Sequence, residues 1–172
     1  MSAVIEVSVG GLGFDEKAKS HVVILREIKG TRMLPIWIGP AEASAIAMEI
    51  AGKKFQRPLT HDLMATIVKG LKATVSKIII SDLRDNTFYA NIVLEREKGH
   101  EIVNVDARPS DSIALALRTQ SPIYLSETLL EGAKDVSMFK MEEKEKTEEE
   151  RAEELRKFLE DLNPEDFGKF TP

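Results

Sequence analysis

Two kinds of apolar periodicity follow one another along this chain, and their order limits the folds open to it. In "SAVIEVSV" (2–9), Ile5, Val7 and Val9 alternate with Glu6 and Ser8, the period of a strand buried on one face. "GGLGFDE" then reads as a turn-rich loop. "HVVILREI" (21–28) and "RMLPIWIG" (32–39) are two apolar runs joined at Gly30, a hairpin pattern. "PAEASAIAMEIAGKK" (40–54) predicts a helix with Pro40 in its first turn and Gly52 at its end; its alanines let another element approach closely. "THDLMATIVKGL" (60–71) predicts a second helix, with Thr60 as N-cap and Leu63, Ile67 and Leu71 on one stripe. "TVSKIIIS" (74–81), "TFYANIVLERE" (87–97) and "EIVNVDA" (101–107) predict an antiparallel meander, with "DLRDN" as its first turn. "SDSIALALRTQ" (110–120) predicts a third helix capped by Ser110, and "PIYLS" (122–126) a short buried strand. Hairpins mixed with helices, without strict alternation, indicate an α+β fold. The expected architecture is a mixed, largely antiparallel sheet or sheets with flanking helices.

A chain of 172 residues can bury a real core. No apolar run approaches the roughly 20 residues that span a bilayer, and the start lacks a basic-then-apolar leader, so no membrane association is expected and the cytoplasm is the expected compartment. The absence of cysteine excludes disulfides, thiolate metal sites and cysteine nucleophiles. Charge divides the chain in two. Residues 1–139 carry 17 basic and 17 acidic side chains; residues 140–166 carry 6 and 12. The body is thus neutral, which argues against tight phosphate-driven residence on nucleic acid but not against brief binding of a substrate. Residues 140–172 read as an acidic connector and a C-terminal helix. Thr147 and Glu150 fit a capping box, and Leu155, Phe158, Leu159 and Leu162 form an apolar stripe.

Two helix starts carry groups capable of chemistry. In "RPLTHDL", His61 can move a proton or bind a metal, and Asp62 can help hold a divalent ion. The plainer account is a capped helix whose first turn favours an acid. In "VDARPSD", Asp106 and Asp111 suit Mg²⁺ or Mn²⁺, which prefer oxygen ligands, while Arg108 matches phosphate oxygens. Its plainer account is a local Arg108–Asp111 ion pair. Glu42 opens the alanine-rich helix and has the same two readings. Trp37 reads as core or interface in preference to a base-stacking platform, and a hairpin turn explains Asp82 and Asp85.

Taken together, "LPIWIGPAEASAIAMEI", "RPLTHDL", "LRDNTFYANIVLE" and "DARPSDSIALAL" resemble the bifunctional nuclease (DNase–RNase) domain family over about residues 3–139. The resemblance implies an α+β domain over 1–139, a tendency to form homodimers or higher homo-oligomers, and cleavage of DNA and RNA as described for plant members. The resemblance supplies no catalytic list, so the candidate residues are the polar positions inside the matching motifs: His61, Asp62 and Arg108 as catalytic groups, and Glu42, Asp106 and Asp111 as metal ligands. The expectation is a nuclease assisted by Mg²⁺ or Mn²⁺ that takes nucleic acid as a transient substrate. A non-catalytic dimeric binding or regulatory module, in which the same motifs are architecture, is the alternative; a small-molecule enzyme is a third.

Overall fold

The computed structural model describes residues 3–96 and 101–132. The boundary expected at 139 and the acidic connector and helix expected over 140–172 lie outside the described residues. Among the described residues seven strands and four helices follow in the order β1 (Val4–Asp15), β2 (Ser20–Glu27), β3 (Met33–Ile38), α1 (Pro40–Ile50), α2 (Thr60–Gly70), β4 (Ala73–Arg84), β5 (Thr87–Arg96), β6 (Glu101–Ala107), α3 (Pro109–Thr119), β7 (Ile123–Ser126) and α4 (Glu127–Gly132). The strands form one mixed sheet in the order β3-β2-β1-β7-β4-β5-β6. Every pairing is antiparallel except β4 with β7. The α+β class read from the sequence is the class observed.

The pairing register explains the core. Residues directly opposite each other share a face. Val7 faces Ile123, Ile123 faces Ile78, and Ile78 faces Ile92; Leu25 faces Leu34, and Val23 faces Ile36. All of these are buried, and they form the face against which the helices pack. α1 lies against β2, α3 against β4 and β5, and α2 against α3 and β4. The alanines of α1 serve this packing: Ala43, Ala45 and Ala47 are buried where α1 meets α3.

The sheet is strongly curled. The six-residue α4 touches both β3 and β4, although three strands stand between them. In a flat sheet those strands would lie about 19 Å apart at about 4.8 Å per strand, yet the end of β3 and the β4–β5 hairpin line one small cleft. Curling brings the free margin of β3 toward the β4–β5 hairpin. On that margin Pro35, which has no N–H to offer, blunts the edge against further strand pairing.

Several local expectations change. "GGLGFDE" is not a loop. β1 runs through it to Asp15, with a register shift between Val9 and Gly11 and with Gly11 at φ +153°, a conformation that a side chain would oppose. The strands around "DLRDN" extend to Arg84 and resume at Thr87. The turn is therefore only Asp85-Asn86, both left-handed. The caps move outward: Leu59 precedes α2 in place of Thr60, and Arg108 precedes α3 in place of Ser110. α1 stops at Ile50. The predicted stripe of α2 is not buried: Leu63, Ile67 and Leu71 are 48%, 52% and 63% exposed. His61 is the buried residue of that helix.

Ala47 has no accessible surface, so extra atoms there must displace α3 or strain a rotamer. Ala47→Leu is expected to cost about 1–3 kcal/mol. Urea denaturation checks this, with the conservative Ala47→Ser expected to cost less.

Candidate active site

Three helices begin at one place. α1 and α3 each open with proline at the first position, where a missing N–H costs nothing, and each of the three helices carries an acid at its third: Glu42, Asp62 and Asp111. Taken helix by helix, these acids only complement the first turn. Their partners show more.

Arg108, the residue before α3, donates from Nε to Asp111 Oδ2 at 2.8 Å and from Nη1 to Glu42 Oε1 at 2.8 Å. The other oxygen of Asp111, Oδ1, lies 3.0 Å from His61 Nε2. Glu42, Arg108, Asp111 and His61 therefore form one continuous chain of polar contacts, drawn from the starts of α1, α3 and α2. Asp62 takes a different partner. Its Oδ2 accepts the Leu59 backbone N–H at 2.9 Å, and its Oδ1 accepts Arg118 Nε at 2.6 Å. Arg118 is only 6% exposed and also donates to the carbonyls of Ala114 and Ala45. Asp106 stands apart from these contacts, on β6 opposite Asn91 of β5. The structure thus brings together four of the six predicted residues, places Asp62 beside them in an ion pair with Arg118, and leaves Asp106 on the exposed meander.

A cleft of about 250 Å³ opens at this junction. Glu42 and Arg108 line it, with Trp37 and Gly39 from the end of β3, Asn86, Thr87 and Phe88 from the hairpin, and Ser110 from α3. His61 and Asp111 lie behind Arg108, outside the lining. The sequence had not singled out Asn86, Thr87 or Ser110 as site residues. Only the curl of the sheet carries the hairpin to the helix starts, and no local pattern signals it.

The electrostatics follow from these contacts. Burial pushes the Asp111 carboxyl up, but hydrogen bonds from Arg108 and His61 outweigh it, and the group settles below its ordinary value. For Asp62 burial again acts upward; the Leu59 N–H and Arg118 overcome it, and the net shift is down. Arg108 is raised, chiefly by its hydrogen bond to Asp111. Mg²⁺ or Mn²⁺ does not fit this arrangement. Both oxygens of Asp111 are engaged, Glu42 is turned onto Arg108, and among the described residues no group of three or more His, Asp or Glu side chains is placed to hold an ion.

Comparison with known proteins supplies the context. The sequence model of the bifunctional nuclease domain matches residues 23–137. An uncharacterised protein of Mycobacterium tuberculosis is 40% identical over 164 residues, which is 94% of this chain and 97% of that protein. Bifunctional nuclease 1 of Oryza sativa subsp. indica is 20% identical over 113 residues, covering 64% of this chain and 34% of the rice protein. A bifunctional nuclease of Oryza minuta matches to the same extent.

Because the Asp62 and Asp111 carboxyls are lowered on folding, their contribution to stability is whole above the unfolded value near 3.8 and fades as pH falls through the folded values. Unfolding midpoints in urea between pH 7 and 2 should therefore fall on the acid side. Asp62→Asn with Asp111→Asn should flatten that fall while lowering stability at pH 7. An unchanged acid limb in the double variant would show that other carboxylates govern it.

Proposed function

The chain belongs to the bifunctional nuclease domain family, and from that membership we propose that it hydrolyses phosphodiester bonds of DNA or RNA at the cleft where Arg108 and Glu42 meet. One observation supports this reading above the others: a solvent-facing guanidinium held between two carboxylates at the converging starts of two helices. Helix N-termini attract phosphate through their unpaired N–H groups and positive dipole ends. A guanidinium fixed on one side still has N–H groups to offer to phosphate oxygens.

In this proposal Arg108 and the first turns of α1 and α3 bind the phosphate and stabilise the charge that grows on its oxygens. Substrate draws Arg108 toward itself and releases Glu42, which takes a proton from a water molecule. The water oxygen bonds to phosphorus, and the bond from phosphorus to the leaving oxygen breaks. The leaving oxygen takes its proton from solvent. His61 and Asp111 act through Arg108: their contact fixes the carboxylate that orients the guanidinium. Asp62 holds α2 in place through Arg118 and touches no substrate.

The test is cleavage of labelled DNA and RNA oligonucleotides by purified protein. Arg108→Ala and Glu42→Gln should each lower the rate about 10²–10³-fold with the fold intact by circular dichroism. His61→Ala should lower it less. Adding Mg²⁺ or Mn²⁺, and then a chelator, in the same assay checks the metal dependence expected from sequence; rates that respond to neither agree with the metal-free step above. Cleavage that persists unchanged in both Arg108→Ala and Glu42→Gln would place the chemistry elsewhere or in a contaminant.

The alternative, a dimeric module, draws support from a separate feature. Leu63, Ile67 and Leu71 present an apolar stripe to solvent on α2, with half-exposed Phe55 nearby in sequence. Such a stripe suits self-association. Under this reading sedimentation shows a dimer or larger homo-oligomer that Ile67→Glu converts to monomer, and the cleft variants leave it intact.

A further inference from the structure

The sequence assigns Ser110 to the N-cap of α3, but the cap lies at Arg108 and no side chain caps the helix. The Ser110 hydroxyl is left without that task. The residue is 6% exposed. Four other polar residues are buried among those described, and each has a partner. Ser44 and Ser112 donate to the carbonyls of Pro40 and Arg108, Ser126 pairs with Thr128, and His61 meets Asp111. The Ser110 side chain makes no hydrogen bond to any described residue. Yet no fully enclosed side-chain oxygen or nitrogen among the described residues lacks a partner. The hydroxyl therefore keeps an opening to solvent, and the surface that Ser110 lines is the cleft. Side chains in a helix lean toward its start, which carries this one toward Arg108.

Further donors lie beside it. Pro109 has no N–H, and the first N–H of α3 to find a backbone acceptor is that of Ser112, which donates to the Arg108 carbonyl at 3.0 Å. The N–H groups of Ser110 and Asp111 stay open at the helix start. Arg108 gives Nε to Asp111 and Nη1 to Glu42 and has Nη2 left over. Resting on the nuclease reading above, we propose that Ser110 is a substrate-contacting residue: its hydroxyl donates a hydrogen bond to a non-bridging oxygen of the phosphate that Arg108 holds. A hydroxyl that has lost most of its water and gained no partner is unfavourable in the free protein. A bound phosphate oxygen supplies the missing acceptor, and a hydrogen bond to a charged oxygen is stronger than one between neutral groups. Arg108 is already shared between two carboxylates, and a neutral donor adds a contact without disturbing that balance.

The test compares the full chain with Ser110→Ala, which removes one atom and adds none. Loss of a hydroxyl that held the fold would lower the urea midpoint; here the midpoint should stay the same or rise. Anisotropy of a labelled DNA or RNA oligonucleotide, read from the moment of mixing so that binding is seen ahead of cleavage, should show affinity about 10- to 150-fold weaker in Ser110→Ala. Ser110→Cys, which keeps a weak donor, should fall between the two. In the wild type, the amide resonances of Ser110 and Asp111 should shift on titration with the same oligonucleotide. Unchanged affinity in Ser110→Ala, with Arg108→Ala still weakening binding, would overturn the contact and leave the nuclease reading standing. Wild-type amides that stay still while the oligonucleotide binds would do the same, and that measurement involves no substitution, so a misfolded variant cannot decide the outcome. No binding by the wild type would overturn both.

Discussion

The guanidinium of Arg118 joins three helices at once. From the last turn of α3 it donates to Asp62 at the start of α2, to the Ala45 carbonyl in the middle of α1, and to the Ala114 carbonyl one turn back in its own helix. Its side chain is 6% exposed, so these contacts are made with little help from water, where an unmatched charge would cost several kcal/mol. The joint works because α1 is small at this point. A bulky residue at position 45 would hold the helices apart, and the guanidinium could not reach the carbonyl. The candidate site depends on this arrangement. With the first turn of α2 fixed against α3, His61 reaches Asp111 across 3.0 Å.

A second constraint lies in the sheet. β7 has four residues, yet it stands at the centre, antiparallel to β1 and parallel to β4. It joins the N-terminal hairpin to the later meander and makes one sheet of the two. The parallel pairing demands a crossover, and β5, β6 and α3 supply it. α3 consequently returns across the sheet with its N-terminus directed to where α1 begins. Glu42 and Arg108, far apart in the chain, meet by that route.

The sequence revealed the elements better than their arrangement. The apolar pattern identified β2, β3, β4 and β5, each of which buries apolar residues, and also β6, none of whose residues is buried. It failed at 10–16 because glycine usually marks turns; here glycine accommodates a bulge in a continuous strand. It also failed on α2. Leu63, Ile67 and Leu71 have ideal core spacing, but burial in this helix goes to His61, which the spacing did not favour. At the site, the Arg108–Asp111 pair was legible because its members are three residues apart. The links from Arg108 to Glu42, from Asp111 to His61 and from Asp62 to Arg118 span 50 to 66 residues, and no local pattern encodes them.

The neighbouring Asp62 and Asp111 show why a capping acid and a site acid look alike in sequence. Each sits third in its helix and each has its pKa lowered against the pull of burial. Asp62 spends one oxygen on the Leu59 N–H and the other on a buried arginine, so both of its oxygens serve the joint between the helices. Asp111 spends its oxygens on His61 and on Arg108, whose side chain is 66% exposed and faces the cleft. The local charges are one guanidinium against two carboxylates, a deficit of one. Two helix ends of about half a positive charge each offset it, which leaves the cleft close to neutral. An approaching phosphate meets no net repulsion there. It finds N–H donors on an arginine already aligned, and that distinguishes this helix start from the one at Asp62.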